Sequence, residues 1–480
     1  MDTSRNSALA AICVSLLVSC SAGEPVSTDT SIIDPEVGID LIIDGRYVLT
    51  MDIENSIITD GSVAINEGAV IEVGSKESIH SKYKATETLD GSNHVVLPGL
   101  VNGHGHAAMT LLRGVADDLD LMDWLTNYIF PAEVEFVDTE FVRIGTELAC
   151  WEMIRGGTTT FVDMYYFPDV IAEVIEGCGL RAMISATVID QPSPDAKNAN
   201  NSIVQGIGFV ERWLNRNSRI TPIFGPHSVY TLNPDQLRAT REAATRLDVP
   251  ISIHLSESPF EVQYAKDTYG TTSIEMLNSI KFFDGPTIAA HVVWPTDDEI
   301  KLLSNRGIGV IHNPTSNMKI AAGVAPVQKM LAAGVRVGLG TDGAASNNDL
   351  DMWEEMRLAS FLQKVEQMDP EILSAGTVLR MATIDGAQAI GLGGSIGSIE
   401  VGKRADVIQV EINDVHHVPL YDVISHLVYV TDEQDVDTVV VEGKVLMKDR
   451  QLVTLDTKQI ANEATALAAR IQKKLSEIQH

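Results

Sequence analysis

Short apolar segments alternate with amphipathic segments through the middle of the chain, from residue 98 to residue 397. Eight of the apolar segments have the length and the β-branched content of buried strands: Gly99–Asn102, Thr160–Val162, Ala182–Val188, Ile220–Phe224, Ile251–His254, Thr287–Ala290, Gly309–Ile311 and Val335–Gly340. Between them, apolar residues recur at helical spacing in Glu133–Arg155, Pro234–Leu247, Thr271–Ile280 and Asp349–Val365. This alternation is typical of a parallel α/β domain, and eight strand–helix units predict a (β/α)8 TIM barrel.

The two ends of the chain have a different pattern, in which short β-type runs are separated by turn dipeptides such as Asp44-Gly45 and Asp60-Gly61. These runs lie in segments 38–97 and 398–455, and neither segment is long enough to bury a core of its own. We therefore expect both segments to form one small composite β-sandwich beside the barrel, which spans 98–397. Apolar residues at helical spacing predict a C-terminal amphipathic helix at 456–480.

The first 20 residues resemble an export signal. Arg5 is their only positive charge, and the apolar run from Ala8 to Val18 is too short to span a bilayer. The run ends in Leu17-Val18-Ser19-Cys20, which resembles a bacterial lipobox, and residues 21–37 form a polar tether. These features predict an exported lipoprotein at the periplasmic face, held to the membrane only by a lipid on Cys20. An ordinary cleaved signal and a cytoplasmic protein with an early start codon are the alternatives.

Side chains that bind metals or transfer protons follow nearly every predicted strand. They are His104, His106, Asp163, His227, His254, Glu257, His291, His312 and Asp342. In a closed parallel barrel the C-terminal ends of all strands meet on one face, whereas in an open sheet they are strung along an edge. The pattern therefore favours a barrel and predicts an active site on that face.

The spacing of His104 and His106 suits metal binding, because residues two apart on an extended strand point to the same side. His254 and Asp342 complete a set of three imidazoles and one carboxylate, with one position left for water. No lysine lies in 198–265, so the carboxylated lysine that bridges two metals in some barrel hydrolases has no counterpart here. We expect a single divalent ion, and zinc suits this donor set best.

The remaining polar residues of the barrel supply candidate acid–base groups. Asp342 adjoins the position left for water and is predicted to accept a proton, and Glu257 is predicted to carry one to the leaving group. His291 is predicted to hold the attacking water or to polarise a developing oxyanion. A solvated loop acid is the alternative for Glu257, and a hydrogen-bonded structural histidine is the alternative for His291. A structural role is predicted for His312, and surface or sandwich positions for His80, His94, His416, His417, His426 and His480.

Composition limits the partners. The 66 acidic and 35 basic residues give a net charge of −31, which repels phosphate backbones and disfavours a nucleic-acid partner. The four cysteines form no CxxC pair, so cysteine is not expected to hold the metal. The sequence leaves homo-oligomerisation open.

Several motifs resemble those of a known family. Pro98-Gly99-Leu100-Val101-Asn102-Gly103-His104-Gly105-His106 is similar to the first-strand signature of the amidohydrolase superfamily. Further segments resemble the methylthioadenosine/S-adenosylhomocysteine deaminase branch, which is related to triazine hydrolases and guanine deaminases: Met109 to Gly114, Asp117-Asp118, Trp124-Leu125, Pro131 to Glu133, Gly225 to His227, Leu339 to Gly343, Ser346 to Asn348 and Gly397 to Asp406. The resemblance covers residues 39 to about 450.

The resemblance implies roles for individual residues. Zinc would be held by His104, His106, His254 and Asp342. Substrate contacts would come from Glu133 to ribose hydroxyls and from His227, Glu257 and Asp342 to the base, with Glu257 giving a proton to a purine ring nitrogen. Two features depart from the branch. Ala186 stands where some members carry a substrate-binding arginine, and the branch is typically cytoplasmic without a lipobox.

We therefore predict a zinc-dependent aminohydrolase that converts an adenine nucleoside to its inosine analogue and ammonia. Methylthioadenosine or adenosine is expected to be preferred over S-adenosylhomocysteine, and nucleosides over free bases. Another heterocyclic amine hydrolase, of guanine deaminase or triazine type, is the first alternative. A non-catalytic lipoprotein that binds nucleosides is the second, and its mark would be the loss of a ligand or a proton-transfer residue.

Overall fold

The computed structural model describes residues 37–478, which fold as a parallel barrel beside a mixed sheet. The N-terminal strands are β1 Val37–Leu49, β2 Ile57–Asn66, β3 Ala69–Ser75, β4 Tyr83–Leu89 and β5 His94–Pro98. The barrel strands are β6 Leu100–Gly105, β7 Thr158–Tyr165, β8 Arg181–Val188, β9 Ile220–Pro226, β10 Ile251–Leu255, β11 Thr287–His291, β12 Gly309–His312 and β13 Arg336–Leu339. The C-terminal strands are β14 Val407–Glu411, β15 Val436–Val441, β16 Lys444–Lys448 and β17 Gln451–Leu452. The predicted leader with Cys20, and the predicted tether up to residue 36, lie outside the described residues.

The helices of the described segment follow the strands around the barrel. They are α1 Lys76–Lys82, α2 Leu121–Asp123, α3 Phe130–Phe136, α4 Thr139–Arg155, α5 Pro168–Cys178, α6 Ala199–Trp213, α7 Pro234–Leu247, α8 Pro259–Tyr269, α9 Ser273–Ser279, α10 Asp297–Arg306, α11 Pro314–Lys319, α12 Val327–Ala332, α13 Met352–Gln367, α14 Ala375–Met381, α15 Ile384–Ala389, α16 Val423–Tyr429 and α17 Thr457–Ile478. Within 37–478 no helix combines the length and the apolar character that a membrane crossing requires.

The barrel predicted from the alternation is confirmed. Strands β6 to β13 pair in sequence order and in parallel, and each of the eight predicted strands is present. The interior is filled by one inward-facing apolar side chain from each of six strands: Val101, Val162, Met183, Ile223, Ile288 and Ile311. Gly103 lies beside this layer, and a Cβ atom there would stand 2.4 Å from Cδ1 of Ile311. The interior is therefore a packed core, and only the strand ends are open to a ligand.

Short polar side chains begin most of the barrel helices. Asn233 caps α7 and Thr296 caps α10, each within a capping box. Asp138 caps α4 by accepting a hydrogen bond from the Phe141 amide, and this cap corrects one prediction. The single helix predicted at Glu133–Arg155 is wrong, because Val137 and Asp138 leave the helical conformation and separate α3 from α4.

The two ends of the chain form one mixed sheet of nine strands. Its order is β17-β16-β15-β14-β5-β1-β2-β3, and β4 pairs with β1 beside β5. The first half of β1 pairs with β4, and Tyr47 and Val48 pair with β5, so two strands share one edge of β1. Gly91 lies between β4 and β5. A Cβ atom there would stand 1.6 Å from the Asp44 carbonyl oxygen, so a residue with a side chain would clash with the backbone of β1. The N- and C-terminal segments thus share one hydrogen-bonded sheet, as their lack of independent cores predicts.

A buried ion pair joins the sheet to the barrel. Arg181 at the start of β8 donates from Nε and Nη2 to the two carboxylate oxygens of Asp406, at 2.7 and 3.2 Å. The same carboxylate accepts the Glu442 amide at 2.8 Å, and the Asp406 carbonyl accepts the Gly99 amide at 3.0 Å. Asp406 therefore connects a barrel strand, the entry to β6 and the turn after β15.

We expect Asp406→Asn to destabilise the protein by about 3 kcal/mol, because it leaves the buried Arg181 guanidinium without its counter-charge. Asp284→Asn is the matched control, since Asp284 pairs with Arg306 on the surface and such pairs contribute about 1 kcal/mol or less. Chemical unfolding of both variants measures the difference. Equal midpoints for the two variants would show that the Arg181 pair does not hold the sheet to the barrel.

Candidate active site

The site is assembled at the seam where the last barrel strand meets the first. The Asp342 amide donates to the His104 carbonyl at 3.0 Å. The Asn102 side chain crosses the same seam, donating to Thr341 Oγ1 at 2.7 Å and accepting the Thr341 amide at 3.1 Å. These bonds bring Asp342 beside His104 and His106, although more than 230 residues separate them in sequence.

The four predicted metal ligands lie together at this seam. Asp342 Oδ1 is 3.4 Å from His104 Nε2 and 3.1 Å from His106 Nε2. His254 Nε2 is 3.3 Å from His106 Nε2, and the His104 and His254 rings are 4.8 Å apart. A tetrahedral zinc ion with bonds of about 2.0–2.1 Å separates its ligand atoms by roughly 3.3 Å. The observed separations between these ligand atoms match that value.

Backbone carbonyls orient two of the imidazoles. His106 Nδ1 contacts the Met164 carbonyl at 2.6 Å, and His254 Nδ1 contacts the His227 carbonyl at 2.8 Å. A carbonyl accepts only from a protonated ring nitrogen, so both imidazoles carry their hydrogen on Nδ1. Their Nε2 lone pairs are then free to face the cluster. Contacts of this kind are the usual second layer around metal-binding histidines.

The donors fit a divalent metal ion. His104 is fully buried, and neither of its ring nitrogens has a hydrogen-bond partner among the described residues. A buried polar atom without a partner is costly, and a metal ion at Nε2 would satisfy it. Burial and the neighbouring histidines hold the pKa of His254 well below its usual value, so that its imidazole is neutral and able to ligate.

The carboxylate of Asp342 is held on both sides. Its Oδ1 faces the histidines, whereas Oδ2 accepts from the Ser316 and Ser346 hydroxyls at 2.7 and 2.9 Å. Burial opposes ionisation, but His104 and His106 hold the pKa of this carboxyl well below its usual range. Asp342 also has a left-handed backbone, with φ of 61°, which costs a non-glycine residue about 1 kcal/mol. The surrounding bonds therefore fix an anionic, fully oriented carboxylate.

A cavity opens above the cluster. One wall is apolar and comes largely from the segment between β6 and α4: Met109, Leu121, Trp124, Leu125, Ile129 and Phe130. A π-helical turn, Trp124–Ile129, joins α2 to α3 and carries three of these side chains, Trp124, Leu125 and Ile129. The polar side is formed by residues predicted from the sequence: His106, Glu133, His227, His254, Glu257, His291 and Asp342. An apolar wall facing convergent polar groups is the usual form of a small-molecule site.

Glu257 is a buried acid, and the alternative of a solvated loop residue is excluded by its 4% exposure. Burial raises the pKa of its carboxyl to about 7. Its Oε1 lies 3.8 Å from His291 Nε2. The loop that carries it is held by Glu261, whose two carboxylate oxygens accept the Ser256 and Glu257 amides at 2.8 and 3.0 Å. Glu261 was not predicted, because nothing in its sequence position separates it from a surface acid on α8.

His291 ends β11 with its side chain fully buried. Its Nδ1 contacts Asn317 Oδ1 at 2.9 Å, and its Nε2 has no hydrogen-bond partner among the described residues. With φ of 73°, its backbone is left-handed like that of Asp342. The ring is thus fixed from behind, and Nε2 is directed toward the cavity that it lines. The sequence predicted His291 but missed Asn317, which lies on α11.

Glu133 lies on α3 and is 4% exposed. Burial raises the pKa of its carboxyl to about 7, and the Tyr166 hydroxyl donates to Oε2 at 3.2 Å. The rings of Tyr165 and Tyr166 contact each other in a tilted arrangement, with centroids 5.0 Å apart. Both tyrosines line the cavity but were not predicted, because aromatic residues at a strand end are as common in a core as in a site.

Thr187, and not Ala186, lines the cavity at the end of β8. Ala186, predicted to stand in the place of a substrate-binding arginine, does not line the cavity: its Cβ faces Gly206 on α6, where an added Cβ would stand 2.9 Å from it. Successive side chains on a strand point to opposite faces, so an error of one residue moves the side chain from the cavity to the helix layer. His227 does line the cavity, and burial holds its pKa at about 3, so its imidazole is neutral.

Two other strand-end residues lie away from the cavity wall. Asp163 is fully buried and accepts the Ala107 amide at 2.6 Å, so it fixes the turn that follows β6. Burial raises the pKa of its carboxyl to about 6. His312 is also fully buried, at the end of β12.

The profile of the amidohydrolase family matches residues 95–446. A 5-methylthioadenosine/S-adenosylhomocysteine deaminase from Desulforudis audaxviator (strain MP104C) is 45% identical over 432 residues, covering 90% of this chain and 99% of that protein. A 5'-deoxyadenosine deaminase from Methanosarcina mazei is 43% identical over 438 residues, covering 91% and 99%.

Solved structures agree with the fold. An adenosine deaminase from Xanthomonas campestris with bound zinc superposes with a TM-score of 0.89 at 37% identity, covering 92% of this chain and 100% of that one. A guanine deaminase from C. acetobutylicum superposes with a TM-score of 0.76 at 23% identity, covering 84% and 99%, and shares the fold. The profile match, the sequence identities and the structural superpositions together show that this protein belongs to the amidohydrolase family.

Proposed function

We propose that this protein deaminates an adenine nucleoside, adding water to the carbon that carries the exocyclic amine and releasing ammonia. One observation carries the proposal. Glu257 and Asp342 line the same cavity, but their surroundings shift the two pKa values in opposite directions. The pKa of Glu257 is raised to about 7, whereas the pKa of Asp342 is held well below its usual range. One carboxyl is thus available as an acid near neutral pH while the other stays a carboxylate, which is how paired acid–base roles are divided in enzymes.

The roles follow from these protonation states. Asp342 accepts a proton from the attacking water, using lone pairs that the two serine bonds leave free. Glu257 in its acid form donates a proton to the ring nitrogen. This proton neutralises the negative charge that the nitrogen gains when the C–O bond forms and the C=N double bond opens. Collapse of the tetrahedral carbon breaks the C–N bond. The proton taken up by Asp342 passes to the amine, which leaves as ammonia, and the proton of the added hydroxyl returns to Glu257 as the C=O bond forms. His291 Nε2 makes a hydrogen bond to the oxygen that adds to the ring carbon.

The metal completes the chemistry. We propose zinc, held by His104, His106, His254 and Asp342, because three imidazoles with one carboxylate suit zinc and because a relative 37% identical was solved with it. When bound there, the ion supplies Lewis acidity and lowers the pKa of a water molecule.

The rest of the cavity favours a nucleoside with a small apolar 5′ group. The carboxylate of Glu133 can accept two hydrogen bonds from a ribose diol, which a free base lacks. None of the described residues that line the cavity is lysine or arginine, so the charged tail of S-adenosylhomocysteine has no cationic partner there. The wall with Trp124 and Phe130 instead suits a methylthio or deoxy group. One relative is named a 5-methylthioadenosine/S-adenosylhomocysteine deaminase and another a 5'-deoxyadenosine deaminase, which supports an adenine nucleoside as the substrate class.

We expect Glu257→Gln to lower kcat/KM by about 100-fold or more, because the amide can hydrogen-bond to the ring nitrogen but cannot protonate it. In the unaltered enzyme kcat/KM should fall as pH rises through about 7, since the acid form of Glu257 is lost there, and the variant should lack this decline. Deamination rates against pH measure both effects.

Metal content and Glu299→Gln serve as controls for this test. Glu299 is a buried glutamate outside the cavity that completes the capping box of α10, and glutamine keeps an oxygen to accept the Thr296 amide. Near-normal turnover of Glu257→Gln with its metal retained would remove Glu257 from the mechanism.

For the substrate, we expect kcat/KM to be higher for methylthioadenosine and adenosine than for S-adenosylhomocysteine, and lowest for adenine and guanine. Glu133→Gln should reduce kcat/KM for nucleosides about tenfold or more and leave the rate with adenine unchanged, because binding energy from the ribose is used at the reacting carbon. Steady-state assays of ammonia release compare the five compounds. If a free base is the best substrate, or if Glu133→Gln affects adenine equally, the base-deaminase alternative replaces this assignment.

We also propose export and lipidation at Cys20, which rest on the lipobox-like Leu17-Val18-Ser19-Cys20 alone. The mature protein should then sediment with membranes and begin at a lipidated Cys20, and Cys20→Ser should release it or block its processing. Mass spectrometry of the N-terminal peptide decides the question. An unprocessed Met1 on a cytoplasmic protein would refute both export and lipidation.

A further inference from the structure

A second group of histidines lies outside the barrel, in the segment between β14 and β15. His416 and His417 lie on the 3-10 turn Val415–His417 that follows β14. His426 lies on α16, and Asp435 ends the 3-10 turn Glu433–Asp435 before β15. From the sequence pattern these histidines were predicted only at surface or sandwich positions, but folding gathers them around one carboxylate.

The donor atoms of this group are as close as those of the barrel cluster. Asp435 Oδ1 is 3.1 Å from His416 Nε2 and 3.3 Å from His417 Nε2. One donor atom from each of the three residues lies within 4.8 Å of the others. The His426 ring packs against His417 with centroids 5.1 Å apart, which places a third imidazole beside the group.

Ring nitrogens of His417 and His426 are buried without a hydrogen-bond partner among the described residues. His417 is 1% exposed, and neither of its ring nitrogens has a hydrogen-bond partner among the described residues. The buried Nε2 of His426 also lacks one within 37–478. Buried imidazole nitrogens are normally satisfied by a hydrogen bond or by a metal. The atoms therefore point to a ligand that the protein side chains do not supply.

The carboxylate is oriented toward the imidazoles. Asp435 Oδ2 accepts the Asp432 amide at 2.9 Å, in a capping box whose other half is the Asp432 side chain. This bond occupies one oxygen and leaves Oδ1 facing His416 and His417. Fixing a ligating carboxylate through its second oxygen is the arrangement found around metal sites.

The barrel cluster provides an internal comparison. There Asp342 Oδ1 stands 3.4 and 3.1 Å from the Nε2 atoms of two histidines, its Oδ2 is held by hydrogen bonds, and a buried histidine lacks partners. The group around Asp435 repeats each of these features. His416 is 44% exposed at its side chain, so an ion can reach the group from solvent.

We propose that His416, His417 and Asp435 form a second divalent metal site that is structural and independent of catalysis. Imidazole and carboxylate donors select ions of the zinc class over calcium or magnesium. A bound ion would connect the turn after β14 to the turn before β15. The net charge of −31 favours cation binding to either site.

The test is the zinc content per chain after equilibrium dialysis against micromolar Zn²⁺, measured by inductively coupled plasma mass spectrometry. The unaltered protein should hold two ions. His254→Ala should hold one, at the Asp435 group, and His416→Ala or Asp435→Asn should hold one, in the barrel. His254→Ala combined with His416→Ala should hold none. His80→Ala is the matched control, because His80 contacts a carboxylate of the same sheet, Asp44, without a second histidine, and it should keep both ions.

Two further readouts separate this site from catalysis. His416→Ala should retain the deaminase kcat/KM of the unaltered protein. Zn²⁺ should raise the Tm of His254→Ala but not that of the double variant. A single ion in the unaltered protein together with none in His254→Ala would overturn the proposal, as would an unchanged content in both His416→Ala and Asp435→Asn. Two bound ions without deaminase activity would refute the proposed function and leave the second site standing.

Discussion

The hydrogen bond from the Asp342 amide to the His104 carbonyl is the interaction on which the site depends. It closes the barrel between its last and first strands and sets the Asp342 carboxylate against two imidazoles that the first strand supplies. Neither strand provides a metal site alone. The geometry of closure, supported by Asn102 and Thr341, converts two separate sequence motifs into one donor set.

The site concentrates ionisable groups that the surrounding fold must hold in place. Asp342 and His291 adopt left-handed backbone conformations, and Glu257 and Glu133 are carboxyls buried at 4% exposure. Each is fixed by a neighbour that does no chemistry itself, such as Glu261 behind Glu257 or Asn317 behind His291. The surroundings also give the two carboxyls different protonation states. Burial raises the pKa of Glu257, whereas the facing histidines keep Asp342 ionised.

Much of the fold and of the site could be predicted because the signals are local. Buried parallel strands are short apolar runs, and the polar residue that follows each run is placed by the barrel itself, so the metal and acid–base candidates could be named before their geometry was known. The sequence pattern was insufficient where a single capping residue ends a helix, or where a shift of one residue decides which face of a strand a side chain occupies. Asp138 interrupts a helical pattern that runs through it, and Ala186 and Thr187 face opposite sides of one strand. The gathering of His417, His426 and Asp435 could not be read from their spacing, because three separate elements bring them together.

The central claim is that Glu257, Asp342 and the histidine cluster act on the same carbon of a nucleoside. It is tested most directly by a crystal structure of the zinc-loaded protein with purine ribonucleoside, which lacks the exocyclic amine and can add water at the reacting carbon. The account predicts an anomalous zinc peak bounded by His104, His106, His254 and Asp342, with a ring nitrogen hydrogen-bonded to Glu257 and the ribose diol on Glu133. A base turned away from Glu257, or a nucleoside bound outside this cavity, would contradict it.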